Sequence, residues 1–282
     1  MTRIDAHHHL WTLARGDYGW LTSKLQPIYR DFTLADLAPH LLAGSIGGTI
    51  LVQAAPTEAE TMFLLGIAAS AETVRGVVGW TDFDAPDAEA RIEGMAGQEL
   101  LVGLRPMVQD IADDDWLLRP ALAPLLTAMA RHHLVFDALV LPRHLPRLLR
   151  LVDRHPDLCF VLDHFGKPRL ATGEIEVWQN DIALLAERDN IVCKLSGLVT
   201  EARPDWELAD LQGAVDHVRD CFGPQRLLWG SDWPAVDLAG GYAKWLKAAE
   251  SLLADLPPDE RAAVFGGTAA RIYLTNRGRR TC

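Results

Sequence analysis

Eight short runs of apolar and β-branched residues recur along the chain, and each run predicts a buried β-strand. Alanine- and leucine-rich stretches with helical spacing separate most of the runs. The predicted strands occupy residues 3–6, 48–53, 74–80, 101–107, 134–139, 158–163, 191–195 and 226–230. The predicted helices include residues 34–42, 58–72, 85–95, 117–132, 145–155, 177–188 and 208–222.

Regular alternation of strand and helix is typical of parallel βαβ units. Eight such units predict a single (β/α)₈ barrel domain over residues 1–282, with a doubly wound open sheet as the second choice. One connection departs from the pattern. Residues 10–29 contain four aromatic side chains and no clear period, so this segment is either a lid or binding loop, or an excursion packed on the surface.

Composition limits the partners of this protein. The chain has 38 acidic and 27 basic residues in 282, a formal net charge of −11, which argues against binding to nucleic acid or to an anionic membrane. There is no apolar run of about 18 residues, as a membrane-spanning helix requires. The four cysteines show no C-x-x-C spacing, and Cys159 and Cys193 lie in apolar runs, so we expect core residues in a reducing cytoplasm. The oligomeric state is not specified by the sequence.

Polar side chains gather at the carboxyl ends of the predicted strands, where barrel enzymes carry their chemistry. Strand one ends in His7 and His9, which share a face because side chains alternate along a strand. The same alternation places His164 with Phe160 and Leu162. If these faces point inward, His7, His9, His164 and Asp232 meet at the barrel mouth. Three imidazoles and a carboxylate either bind one divalent ion such as Zn²⁺ or hold water and a carbonyl group by hydrogen bonds alone.

Further residues near the strand ends are candidate substrate contacts. Two of them are cationic, one is an amide and two are tryptophans that offer a flat face to a sugar ring. They are Arg105, Lys167, Gln53, Trp80 and Trp233. Lys194 lies deeper in its strand, and the sequence leaves it open between a structural ion pair and a substrate contact.

Four motifs, in this order along the chain, give a resemblance to a known family. They are IDAHHHLW at 4–11, LDHFGKP at 162–168, CKLSGL at 193–198 and WGSDWP at 229–234. Together they resemble the amidohydrolase superfamily, and within it the sugar-lactonase branch that includes L-fuconolactone hydrolase and L-rhamnonolactonase. 2-Pyrone-4,6-dicarboxylate lactonase is a more distant relative. Binuclear members carry a bridging Lys or Glu on strand four, where this chain has Arg105, so the resemblance implies at most one metal ion and none that is obligatory.

The resemblance implies a hydrolase that opens a sugar 1,4-lactone to the aldonic acid. Asp232 would take the proton from the attacking water, while His7, His9 and His164 would position the water and polarise the carbonyl group. A dicarboxylate lactonase and a metal-dependent nonoxidative decarboxylase of the same superfamily remain alternatives, as does a barrel that only binds a sugar acid. The decarboxylase relatives typically have a second middle-strand histidine, which this chain lacks.

Overall fold

The computed structural model describes residues 2–275 and 282, and these form a (β/α)₈ barrel. All strand pairs are parallel, and the strands follow one another around the sheet in chain order. The predicted barrel is therefore confirmed, and the alternative of an open sheet is excluded. The strands are β1 (Arg3–His8), β2 (Ile46–Val52), β3 (Val74–Gly79), β4 (Leu101–Leu104), β5 (Val135–Ala138), β6 (Phe160–Leu162), β7 (Ile191–Leu195) and β8 (Leu227–Trp229).

Helices cover the outside of the barrel, and their bounds lie close to those predicted. The longest one, α7, matches the predicted 208–222 at both ends. The helices are α1 (Leu34–Ala43), α2 (Glu58–Ala69), α3 (Ala88–Met95), α4 (Leu122–Arg131), α5 (Leu145–Arg154), α6 (Glu176–Ala186), α7 (Leu208–Phe222), α8 (Tyr242–Leu252) and α9 (Pro258–Ala262). None of the helices in the described part of the chain is both long enough and apolar enough to cross a membrane.

The hydrophobic core has two layers, as strands buried on both faces require. The outer layer lies between the strands and the helices, and includes Phe160 and Leu162 of β6. The inner layer fills the barrel itself with branched side chains from every strand. Ile272 and Tyr273, from the π-helical segment Ala270–Leu274, belong to this inner layer and close the amino-terminal end of the barrel.

Backbone hydrogen bonds close the barrel between its first and last strands. The Asp232 amide donates to the His7 carbonyl oxygen at 2.8 Å, and the His9 amide donates to the Trp233 carbonyl oxygen at 2.7 Å. The residues that follow β8 are therefore fixed directly against the histidine run of β1. This closure brings residues from opposite ends of the sequence into one site.

The aromatic segment 10–29 packs on the barrel and also reaches its mouth. Trp11 is buried against Phe32, and its indole nitrogen donates to the Arg30 carbonyl oxygen at 2.8 Å. Trp20 is 39% exposed, and its indole nitrogen donates to the Ala54 carbonyl oxygen at 2.7 Å, just beyond β2. The base of the segment is thus packed in the core, and Trp20 extends over the carboxyl ends of the strands.

The cysteine prediction was half right. Cys193 is a free, fully buried core residue, as expected. Cys159 instead forms a disulfide with Cys282, across a Cα–Cα distance of 5.3 Å. The two residues are 123 positions apart in sequence, so no local spacing could have indicated the pair.

Candidate active site

The four predicted catalytic residues meet at the mouth of the barrel. Asp232 Oδ1 lies 3.3 Å from His9 Nε2, 3.6 Å from His7 Nε2 and 4.0 Å from His164 Nε2. The Nε2 atoms of His7 and His9 are 3.2 Å apart. All four side chains are at least nine-tenths buried, so their polar atoms face one another in a region from which most water is excluded.

His7 faces the barrel interior because β1 is irregular. Ile4 and Ala6 point inward, and Asp5 points outward, where it accepts a hydrogen bond from Tyr242 of α8. Simple alternation would therefore turn His7 outward. The register with β2 shifts between Asp5 and His8, and an irregularity of this kind re-aims a side chain. His7 Nδ1 consequently lies 3.3 Å from Lys194 Nζ, inside the barrel.

The prediction that His164 shares a strand face with Phe160 and Leu162 was wrong, although His164 does lie at the mouth of the barrel as predicted. Phe160 and Leu162 belong to the outer layer, while Val161 points into the barrel. His164 reaches the mouth because the chain leaves β6 in a left-handed turn, with φ of 54° at both His164 and Phe165. Backbone in this region is costly for residues other than glycine and is concentrated at functional sites.

Two glycines of the motifs permit the close approach of the histidines. Gly197 follows β7 with a φ of 58°, and a Cβ atom there would lie 2.5 Å from His164 Nδ1. A Cβ atom on Gly230 would lie 2.6 Å from the His7 Cβ. Any larger residue at either position would displace an imidazole, which explains why these motifs contain glycine.

Burial keeps His7 and His164 neutral, whereas the neighbouring imidazoles keep the carboxylate of Asp232 ionised against the effect of burial. Burial holds the pKa of His7 well below its usual value and lowers the pKa of His164 to about 4, although Asp232 partly opposes the second shift. Burial alone would raise the pKa of Asp232, but the neighbouring His164 and His7 outweigh it and the pKa is lowered. Near neutral pH the site therefore combines a carboxylate base at Asp232 with neutral imidazoles at His7 and His164.

The orientation of His9 is fixed by the backbone of β2. Its Nδ1 lies 2.8 Å from the Val52 carbonyl oxygen, which can only accept, so Nδ1 carries the proton. A neutral His9 therefore directs the lone pair of Nε2 towards Asp232 Oδ1 and His7 Nε2. The lone pairs of these three atoms would repel one another unless a proton or a cation lies among them.

A layer of fully buried charges lies beneath His7. Lys194 Nζ is 2.7 Å from Asp137 Oδ2 and 2.7 Å from Asp163 Oδ1, and Tyr273 Oη donates to Asp137. Asp163 also pairs with Arg105, at 3.2 Å. Lys194 Nζ has no exposure, so the alternative left open by the sequence is decided in favour of a structural ion pair.

The mouth of the barrel holds a cavity of about 310 Å³, and only some of the predicted substrate contacts line it. Arg105 and Lys167 line this cavity together with His9, His164 and Asp232. Trp80 lines an adjoining cavity instead.

Gln53 and Trp233 lie in the wall behind the cavity, so direct contact with substrate is not supported for either. Gln53 is fully buried and donates to the Arg105 carbonyl oxygen at 2.8 Å. The Arg105 guanidinium in turn donates to the Gln53 carbonyl oxygen. Trp233 packs edge-on against Phe32, with 5.0 Å between ring centroids. Both residues therefore support the residues of the mouth from behind.

Sequence reasoning missed part of the cavity wall. Trp20 and Glu201 both line the cavity, and they come from irregular segments outside the strand ends. Glu201 pairs with Lys167 at 3.6 Å, and burial raises its pKa although Lys167 opposes the shift. The only available signal was the long aromatic segment that contains Trp20. No motif indicated Glu201.

The donor atoms fit a single divalent cation. Ligands held tetrahedrally at about 2.1 Å from a zinc ion lie roughly 3.3–3.4 Å apart. The separations among His7 Nε2, His9 Nε2 and Asp232 Oδ1 are 3.2, 3.3 and 3.6 Å. A second trio joins His7 and His164 to Asp163, but Lys194 and Arg105 already neutralise that carboxylate.

A parallel barrel with one histidine at the end of β1 and a second just after it, a histidine after β6 and an aspartate after β8 defines a hydrolase of the amidohydrolase type. The family model described as amidohydrolase matches residues 4–274. The chain belongs to this family, which confirms the family resemblance and the prediction of a hydrolytic enzyme.

Relatives cover nearly the full chain. It is 46% identical to an L-fucono-1,5-lactonase of Burkholderia ambifaria, over 98% of this chain and 96% of the relative. It is 37% identical to an L-fucono-1,5-lactonase of Burkholderia multivorans, over 96% and 95% respectively. A crystal structure of a B. multivorans amidohydrolase with bound zinc superposes with a TM-score of 0.91 at 37% identity, over 97% of this chain and 99% of that one.

Proposed function

We propose that this enzyme hydrolyses a neutral sugar lactone to the aldonic acid. The observation that carries the proposal is the convergence of ionised Asp232 with three imidazoles at a cavity of single-sugar size. The two relatives named as L-fucono-1,5-lactonases support a six-membered ring. We therefore propose a 1,5-lactone, where the sequence alone led us to expect a 1,4-lactone.

Asp232 is the proposed general base. Water attacks the lactone carbonyl carbon and transfers one proton to Asp232 as the tetrahedral intermediate forms. The bond from that carbon to the ring oxygen then breaks, and Asp232 returns the proton to the departing alkoxide. The products are a carboxylic acid and a hydroxyl group on one open chain, so water has been added and no other co-reactant is needed.

The remaining polar residues position the substrate. Arg105 is 97% buried, and its guanidinium is fixed by Asp163 and the Gln53 carbonyl oxygen, so it presents an oriented positive charge at the cavity. His164 is held through Nδ1 by Ser196 Oγ at 2.8 Å, and its Nε2 faces Asp232. Donors of this kind stabilise the negative charge that develops on the carbonyl oxygen.

The charges of the cavity favour a neutral lactone over a dicarboxylate. Arg105 and Lys167 face three carboxylates in the cavity wall, those of Asp110, Glu201 and Asp232. Lys167 is already paired with Glu201. A substrate with two carboxylates would therefore meet more negative than positive charge, whereas the hydroxyl groups of a neutral sugar can donate to these acceptors.

A divalent ion, when bound, would be held by His7, His9 and Asp232 and would polarise the carbonyl group or lower the pKa of water. The neutral imidazole of His7 and the ionised carboxylate of Asp232 are in the protonation states that such binding requires. The zinc in the B. multivorans structure supports this proposal. We propose at most one ion for each chain, because Asp163, the carboxylate of the second trio, already pairs with Lys194 and Arg105.

A panel of lactones tests the proposed function. We expect acid release, followed with a pH indicator, from L-fucono-1,5-lactone or a close stereoisomer, with the 1,5-ring preferred over the 1,4-ring. The comparison set is L-rhamnono-, D-galactono- and L-arabinono-lactone in both ring sizes, and 2-pyrone-4,6-dicarboxylate. Absence of hydrolysis of every sugar lactone would overturn the proposal. Turnover of the pyrone alone would favour the dicarboxylate alternative, and carbon dioxide release from an aromatic acid would favour the decarboxylase.

Metal titration tests the proposed ligand set. Protein stripped with a chelator should bind about one equivalent of Zn²⁺, measured by elemental analysis after dialysis. His9→Gln should weaken this binding by at least tenfold, because it removes a ligand nitrogen. His217→Gln is the control, since His217 lies on α7 and bonds to the Gln179 carbonyl oxygen far from the trio. Two bound equivalents, or unchanged affinity in His9→Gln, would contradict the assignment.

A further inference from the structure

A second cavity of about 530 Å³ adjoins the catalytic one at the mouth of the barrel. The two cavities share Trp20, Met107 and Asp110 in their walls. The second cavity extends away from Asp232 towards the segment that follows β3, which carries Trp80 and Asp82. None of the proposed catalytic residues lines it, so the catalytic step does not account for it.

Aromatic rings fixed in place line this cavity. The indole nitrogen of Trp116 donates to both carboxylate oxygens of Asp84, at 3.0 and 3.1 Å. Phe83 packs edge-on against Trp116, with 6.1 Å between ring centroids. Trp20 is held by its bond to the Ala54 carbonyl oxygen, and Trp80 is partly exposed at the same wall. Rings that are already ordered can contact a ligand with little loss of conformational entropy.

The charged groups that line the cavity are all carboxylates, which accept hydrogen bonds. Asp82 and Asp110 lie in its wall, and no lysine or arginine is present among the described residues that line it. This rules against an anionic ligand and favours one that donates hydrogen bonds. Flat aromatic faces combined with carboxylate acceptors suit a hydroxylated ring, whose axial C–H groups pack on aromatic carbon and whose hydroxyl groups donate to oxygen.

We propose that this second cavity is a carbohydrate-binding subsite for a neutral, hydroxylated ring. The shared wall allows two sources for that ring. It is either a glycosyl group attached to the lactone in the catalytic cavity or a separate free sugar. The first source rests on the proposed function, whereas binding of a free sugar does not.

The variant Trp80→Ala tests the subsite with two readouts. The main-chain hydrogen bonds between residue 80 and the Thr61 hydroxyl do not involve the indole, so the substitution retains them. For an attached ring, we expect kcat/KM for lactobiono-1,5-lactone or cellobiono-1,5-lactone to fall about tenfold, with L-fucono-1,5-lactone changed less than twofold. For a free ring, we expect saturation-transfer NMR signals from L-fucose, D-galactose or D-glucose that weaken about tenfold in the variant, with lactone kinetics unchanged.

Matched variants separate the subsite from general effects. Asp82→Asn keeps the shape of the wall and the acceptor for the Asp84 amide, and should weaken the same readout as Trp80→Ala. Tyr29→Ala removes an aromatic ring that is 41% exposed and lines neither cavity, and should change nothing. Equal behaviour of Trp80→Ala and Tyr29→Ala in both readouts would overturn the subsite, as would binding of tetramethylammonium in preference to every sugar. Failure of the proposed function would appear separately, as absence of hydrolysis of every monosaccharide lactone.

Discussion

Replacing Asp232 by asparagine is expected to lower kcat by roughly 10²–10⁴ while the fold stays intact. The amide cannot accept the proton of water, so both proton transfers of the proposed mechanism are lost. Asparagine is a well-matched substitute because it tolerates left-handed backbone, and Asp232 has a φ of 56°. Steady-state rates on the lactone identified by the panel, together with the melting temperature, measure the two parts of this prediction.

Asp220→Asn is the control for this experiment. Asp220 lies on α7, is 74% exposed and is remote from the cavity, so its substitution should leave kcat unchanged. If Asp232→Asn kept more than a tenth of the rate with a normal melting temperature, Asp232 would not be the base. The proton acceptor would then have to be sought among the other groups of the cavity, Glu201 in particular.

Replacing Lys194 by methionine is expected to destabilise the fold by about 3–5 kcal/mol. The substitution removes one cation and leaves Asp137 and Asp163 buried with less compensation. Burial already raises the pKa of Asp137 to about 6 in the presence of Lys194. The melting temperature should therefore fall on the order of 10 °C in differential scanning calorimetry.

Two further variants show whether charge is the cause. Lys194→Met combined with Asp137→Asn removes one negative charge as well, and should recover part of the lost stability. Lys247→Met changes an exposed lysine of α8 and should leave the melting temperature within about 1 °C. A melting temperature of Lys194→Met within 2 °C of the unchanged protein would show that the ion pairs contribute little to stability.

The barrel and its four central residues could be predicted because the signals are local. A strand such as β7 is an apolar run, interrupted by Lys194, and it has the same bounds in sequence and structure. His7, His9, His164 and Asp232 lie at strand ends, and all parallel strands of a barrel end at the same mouth. Knowing where each strand ends was therefore sufficient to bring these residues together.

The orientation of single side chains was harder to predict, because it depends on departures from regular geometry. Period-two counting failed at His164, which follows β6 in left-handed backbone. On β1, His7 and His9 do lie together as predicted, but the register shift that turns His7 inward has no signal in the sequence. Gln53 and Trp233 lie at strand ends as expected, yet each packs behind the wall. The cavity wall also takes Trp20 and Glu201 from irregular segments, whose path no periodicity specifies.

The closed amino-terminal end of the barrel has a consequence for the order of events in catalysis. Ile272 and Tyr273 fill that end, so within the described residues the lactone, the attacking water and the acid product all pass through the mouth. Because the lactone and its product share this one entrance and one cavity, the product must leave before the next lactone binds. We therefore expect product inhibition to be strictly competitive, and weak, because Asp110 and Glu201 repel the newly formed carboxylate along its way out.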